Sequence, residues 1–125
     1  PVLFVCFDNG LSILTKVEVR RNWKMDDVAR SFKMAATEIT DNPWLIMYLA
    51  NSLIEEGLPA FMNIHVVRHL WHGGTGTDGP PEWDRFSIVK EEMGRLGLDK
   101  EAEDAEITAE NRADDLWRPA LEGVR

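Results

Sequence analysis

The chain has 125 residues, 44% of them apolar and 29% charged, which suits one domain with a real core. Its 14 Lys and Arg stand against 22 Asp and Glu, a net charge of −8; residues 1–74 carry 7 basic and 8 acidic groups, residues 75–125 carry 7 and 14. Phosphate backbones and anionic lipids need clustered positive charge, so nucleic acid and membrane are not expected partners. The longest apolar runs, residues 2–7 and 44–50, fall far short of the roughly 20 residues of a membrane span. A single cysteine, Cys6, cannot form an internal disulfide and fits the reducing cytoplasm, the expected location.

Residues 2–7 read as a strand with both faces apolar, hence central and covered on both sides. Asp8-Asn9-Gly10 follows, and Asn-Gly between apolar runs signals a hairpin. The return strand is Leu11 to Arg20, with Leu11, Ile13, Thr15, Val17 and Val19 on one face. Met25, Val28, Ala29, Phe32, Ala35, Ala36 and Ile39 then recur at helical spacing, predicting a helix from about 24 to 38 capped by Asn22. Asn42-Pro43 opens a second helix that runs to Glu56 and stops at Gly57. Its first half, Trp44 to Ala50, is apolar all round, the pattern of a helix buried on more than one side.

Phe61 to Trp71 reads as another strand. Residues 73–82 form a Gly- and Pro-rich loop. Phe86, Val89, Met93 and Leu96 mark a short helix ending at Gly97. Ala105 and Ile107 suggest a weak edge strand, and from Thr108 the chain reads as a tail with Trp117 and Leu121 as anchors. The expected organisation is one domain over residues 1–107 and a C-terminal tail over 108–125.

A hairpin crossed by a helix opens the ubiquitin-like β-grasp, an α+β fold, here with an inserted helix at 43–56. Pro1-Val2, the strands around Phe4 to Phe7 and Leu11 to Val19, and Met25-Asp26-Asp27-Val28-Ala29 resemble the start of the small ubiquitin-like subunit of bacterial toluene and phenol monooxygenase hydroxylases. Val66 to Leu70, Phe86-Ser87-Ile88 and Gly97-Leu98-Asp99 are loosely similar to that family's third strand, short helix and final turn. The resemblance implies a non-catalytic subunit of a multicomponent di-iron enzyme, packed on the large subunit that holds the irons, with no cofactor of its own.

No catalytic constellation competes with that expectation. His65, His69 and His72 share one face only on a helix, and no Cys, Asp or Glu lies between them to complete a metal set. Pro1 followed by a strand suits a tautomerase-like enzyme with an N-terminal amine base, but there a helix follows the first strand. Cys6, in an apolar run, reads as a buried inert thiol. Adjacent acid pairs such as Glu55-Glu56 point about 100° apart on a helix and are solvated faces. A free-standing acidic adaptor or inhibitor is the remaining alternative. Because one small sheet and one helix cannot cover every apolar residue, the expected partner interface is Trp44, Leu45, Met47 and Tyr48 with Leu3, Val5 and Phe7, and Trp117 reaching along the same larger protein.

Overall fold

A computed structural model describes residues 2–12, 15–68 and 79–123. The chain divides into two compact units, Pro1–Arg85 and Phe86–Arg125. The class is mixed α+β, but the sheet differs from the one expected.

The first unit is built on three parallel strands: β1 (Leu3–Asp8), β4 (Ala35–Thr40) and β5 (Ala60–His65), in the order β1-β5-β4. Two two-residue strands, β2 (Leu11–Ser12) and β3 (Thr15–Lys16), pair only with each other. A helical turn α1 (Val17–Arg20), the helix α2 (Met25–Ser31) and the helix α3 (Pro43–Glu56) complete it. The chain moves from β1 across to β4 and then back one place to β5. Right-handed crossovers in opposite directions put their helices on opposite faces of a sheet. The side chains agree. Ala60, Met62 and Ile64 of β5 form the core with Ile39 and with Leu53 of α3, while Phe61, alternating to the other face, meets α2 beside Val28 and Ala29.

The central strand is therefore β5, not residues 2–7. A segment buried throughout its middle (Met62 and Ile64 are each 1% exposed and Asn63 2%) is the stronger partner for β1 than the half-polar segment 11–20. The long antiparallel hairpin does not form. Gly10 does take a positive φ of 70°, and its N–H bonds Asp8 Oδ1 at 2.8 Å, but this Asx turn leads into the β2–β3 pair and not back along β1. Ile13 and Leu14 lie outside the described residues.

The helix expected over 24–38 ends at Ser31. Its end is a Schellman motif: Met34 N–H bonds Ala29 O at 3.3 Å, Lys33 N–H bonds Arg30 O at 2.8 Å, and Lys33 takes a φ of 62°. Beyond it, the β-branched Thr37, Ile39 and Thr40 continue as β4 beside β5. The residue capping the N-terminus is Lys24, not Asn22, and it makes no side-chain cap bond. Of the stripe's residues up to Phe32 only Ala29 is buried; Val28 and Phe32 are exposed.

The sequence marks α3 residue for residue. Asn42 Oδ1 accepts from the N–H groups of Trp44 (3.0 Å) and Leu45 (3.1 Å), Pro43 occupies the first turn, and Gly57 closes the helix. Its Ile46, Leu49, Ala50 and Leu53 pack on the core. Trp44, Leu45, Met47 and Tyr48 are exposed, so this helix is buried on one side only. The expected strand 61–71 is β5, and it stops at His65.

The second unit contains α4 (Arg85–Arg95, its first residue belonging to the first unit) and α5 (Asp99–Glu122), preceded by a single 3-10 turn at Pro81–Trp83. Gly97, at φ 72°, ends α4 with the same pair of bonds that ends α2: Leu98 N–H to Met93 O and Gly97 N–H to Gly94 O. Residues 99–122 are one helix; the expected edge strand at Ala105–Ile107 and the tail from Thr108 are absent. The stretch is rich in Ala and Glu, strong helix formers. Ala102, Ala105 and Ala109 share a stripe that faces Val89 and Met93 of α4 across a small apolar cleft, with Lys90 Nζ 2.7 Å from Glu106 Oε2. No helix among the described residues is long and apolar enough to cross a membrane.

Candidate functional site

Alternation places Cys6, Asn63 and Glu38 in one row on the α2 face of the sheet, and Asp8, His65 and Thr40 in the next row towards the strands' carboxyl ends. Open parallel sheets bind their ligands at that end. Arg21, Asn22, Trp23 and Lys24, between α1 and α2, arch over the two rows. The result is a crevice of about 380 Å³ lined by Asp8, Arg21, Trp23, Glu38, Asn63 and His65 among others.

Asp8 organises it. Its Oδ2 accepts from Arg21 Nη2 at 2.9 Å, its Oδ1 from Gly10 N–H, and the Asn63 amide also donates to it. Burial pushes the Asp8 carboxyl up, but the Gly10 and Asn63 hydrogen bonds and the charges of Arg21 and His65 prevail and hold it below the usual value. Trp23 lies over the Arg21 guanidinium, 4.7 Å from ring centroid to Cζ. Glu38 Oε1 takes His65 Nε2 at 3.1 Å and Lys24 Nζ at 3.5 Å. Cys6 faces Met25, with Sγ 3.4 Å from Sδ, and its thiol is pushed up by burial and by Asp8, against the pull of Arg21. That setting makes a poor nucleophile at neutral pH.

Beside the crevice, sharing Trp23 and Met25 with it, is an apolar groove of about 360 Å³ formed by Phe4, Phe61, Val28, Phe32 and Met34. It exists because a helix about 10 Å wide covers roughly two strands spaced about 4.8 Å apart. α2 packs over β4 and β5, so β1 emerges from beneath it.

The same geometry operates on the opposite face, where the expected interface residues lie. Leu3 packs against the core, but Val5 and Phe7 emerge beyond α3, Phe7 at 69% exposure. Trp44, Leu45, Met47 and Tyr48 form the outer surface of the first turns of α3. Trp117 is exposed on α5 in the second unit, with Leu116 and Leu121.

Of the three histidines, His65 is at the crevice, and His69 and His72 lie outside the described residues, as does Pro1. Among the described residues no group of three or more His, Cys, Asp or Glu is placed to hold a metal ion. Sequence reasoning missed Asp8, Arg21, Glu38 and Asn63. The available signal was Asn63, the one amide inside the apolar run Phe61 to Ile64. No family model matches the chain, and no curated protein or solved structure matches it.

Proposed function

We propose that this chain is a non-catalytic binding subunit that docks on a larger protein through β1 and the first turns of α3. The observation that carries the proposal is the large apolar side chains presented there: Val5, Phe7, Trp44, Leu45, Met47 and Tyr48. Exposed large apolar side chains on a small domain mark a protein contact, and obligate interfaces are apolar at their centre. The exposed Leu116, Trp117 and Leu121 of α5 offer the same partner a second anchor.

The finer reading is the ubiquitin-like subunit of a di-iron monooxygenase hydroxylase. Its support is the sequence resemblance and the order strand, Gly10 turn, short antiparallel pair and helix over residues 3–31. The all-parallel sheet is a departure from the β-grasp pattern.

The test is isolation of the tagged chain from its native cells, wild type and Trp44→Ala, with sizing of the complex and identification of the bound chain. The wild type is expected in a stable complex and Trp44→Ala released from it, with unchanged far-ultraviolet circular dichroism; truncating an aromatic anchor commonly costs more than about 2 kcal/mol. A hydroxylase large subunit as partner supports the finer reading, and any other partner removes it while leaving the docking role. A folded monomer that binds no hydrophobic dye refutes both.

A further inference from the structure

Two residues that line the crevice each hold a buried polar atom with no partner among the described residues, and the two are of opposite sense: Arg21 Nε, a donor, and Asn63 Oδ1, an acceptor. Both residues bond Asp8, so the two unmet atoms belong to the side chains that hold one carboxylate. Asn63 is 2% exposed on the central strand. A buried donor or acceptor left unmet costs about 1–3 kcal/mol. An apolar residue at position 63, like its neighbours Met62 and Ile64, would escape that cost. A bound group that offers both a donor and an acceptor would remove it.

The remaining lining narrows what that group is. Asp8, Glu18 and Glu38 disfavour a phosphate or other net anion, and Arg21 and Lys24 disfavour a net cation. Val17, Trp23 and Met25 add an apolar wall. The volume of about 380 Å³ falls within the range of small-molecule sites, about 300–1,000 Å³. We propose that the crevice binds a small zwitterion of the α-amino-acid type. The ammonium donates to Asn63 Oδ1, the carboxylate accepts from Arg21 Nε, and an apolar side chain rests on Val17 and Met25. The two unmet atoms are shielded from solvent, and the half-exposed Trp23, stacked over Arg21, is the side chain the ligand displaces on entry. This site uses none of the residues of the docking surface and stands or falls apart from it.

The experiment is a titration of the whole chain followed by NMR at the Asn63 side-chain amide and the Trp23 indole. The probes are the standard L-amino acids one at a time at millimolar concentration, then leucinamide and 4-methylpentanoate, each lacking one of the two charges of leucine. An apolar amino acid such as leucine is expected to shift both resonances, and each half-charged analogue to bind about tenfold more weakly or worse. Arg21→Lys keeps a cation for Asp8 but removes the Nε donor, and is expected to erase the preference for leucine over leucinamide. The proposal is overturned if no amino acid moves the two resonances of the wild type, which marks a bridging water as the only occupant, or if the analogues bind as well as leucine. The wild-type panel decides alone if Arg21→Lys does not fold.

Discussion

Lys33→Gly separates two readings of residues 24–38 by the sign of its effect. In the structure Lys33 is the left-handed residue that ends α2, with φ 62° and both Schellman bonds made. At the equivalent position after α4 the chain uses Gly97, at φ 72°. A non-glycine residue in that region pays about 1–2 kcal/mol in contacts between Cβ and the following carbonyl. Glycine removes the strain but gives back about 0.5–1 kcal/mol through its larger unfolded-state entropy. The net expectation is a stabilisation of about 0.5–1 kcal/mol, because Lys33 is exposed and loses little packing. For a unit of this size that is a rise in Tm of about 2–6 °C. A continuous helix over 24–38 would place the same glycine in a helix interior and lower stability by about 0.5–1 kcal/mol. Urea unfolding of both proteins, followed by circular dichroism at matched m-value, reads the sign directly. A lower midpoint for Lys33→Gly refutes the Schellman ending and the β4 strand that depends on it.

Asn42→Ala removes the acceptor for two N–H groups at the start of α3, and is expected to lower the unfolding free energy by about 1 kcal/mol in the same urea assay. Asp8 is held below its ordinary value of 3.8 when folded, so its contribution is present above that value and lost as pH falls through the lower folded pKa. The wild type is therefore expected to lose stability progressively as pH falls through 3.8 and below, and Asp8→Asn, less stable at neutral pH, to show a shallower acid decline. Asp26 is shifted the same way, burial opposing and Arg30 prevailing, and keeps part of the decline in that variant. Cys6, its thiol pushed up by burial, is expected to alkylate more slowly with iodoacetamide at mildly alkaline pH than an unstructured cysteine peptide, and at the peptide's rate in urea.

How much of this was legible follows from how local each signal is. α3 was read to the residue because Asn42, Pro43 and Gly57 act within one turn of themselves. Gly97 announced the end of α4 in the same way, whereas Lys33 carries no sequence mark of a left-handed position, so the apolar stripe ran on past it to Ile39. β1 was recognisable as a strand, but its neighbour was not. That choice depends on the segment Ala60–His65, far along the chain, out-competing the nearby Leu11–Arg20. The acidic face of α5 hid a helix whose inner stripe is only alanines. The crevice was the least legible part. Asp8, Arg21, Glu38 and Asn63 come from four separate segments and meet only once β5 is laid between β1 and β4.

That strand order also constrains how the chain can fold. β1 and β4 never touch each other, since each pairs only with β5. A nascent chain that has emerged only as far as α3 therefore holds two of the three strands of its main sheet and no bond between them. Neither ladder can form until the last strand enters the middle, where Ala60 stands between Leu3 and Ala35. Both ladders share that strand, and the loop-closure entropy of the long β1–β5 contact falls due before any of its burial is gained. Until that moment the apolar β1 waits without a neighbour, and any other strand present competes for it.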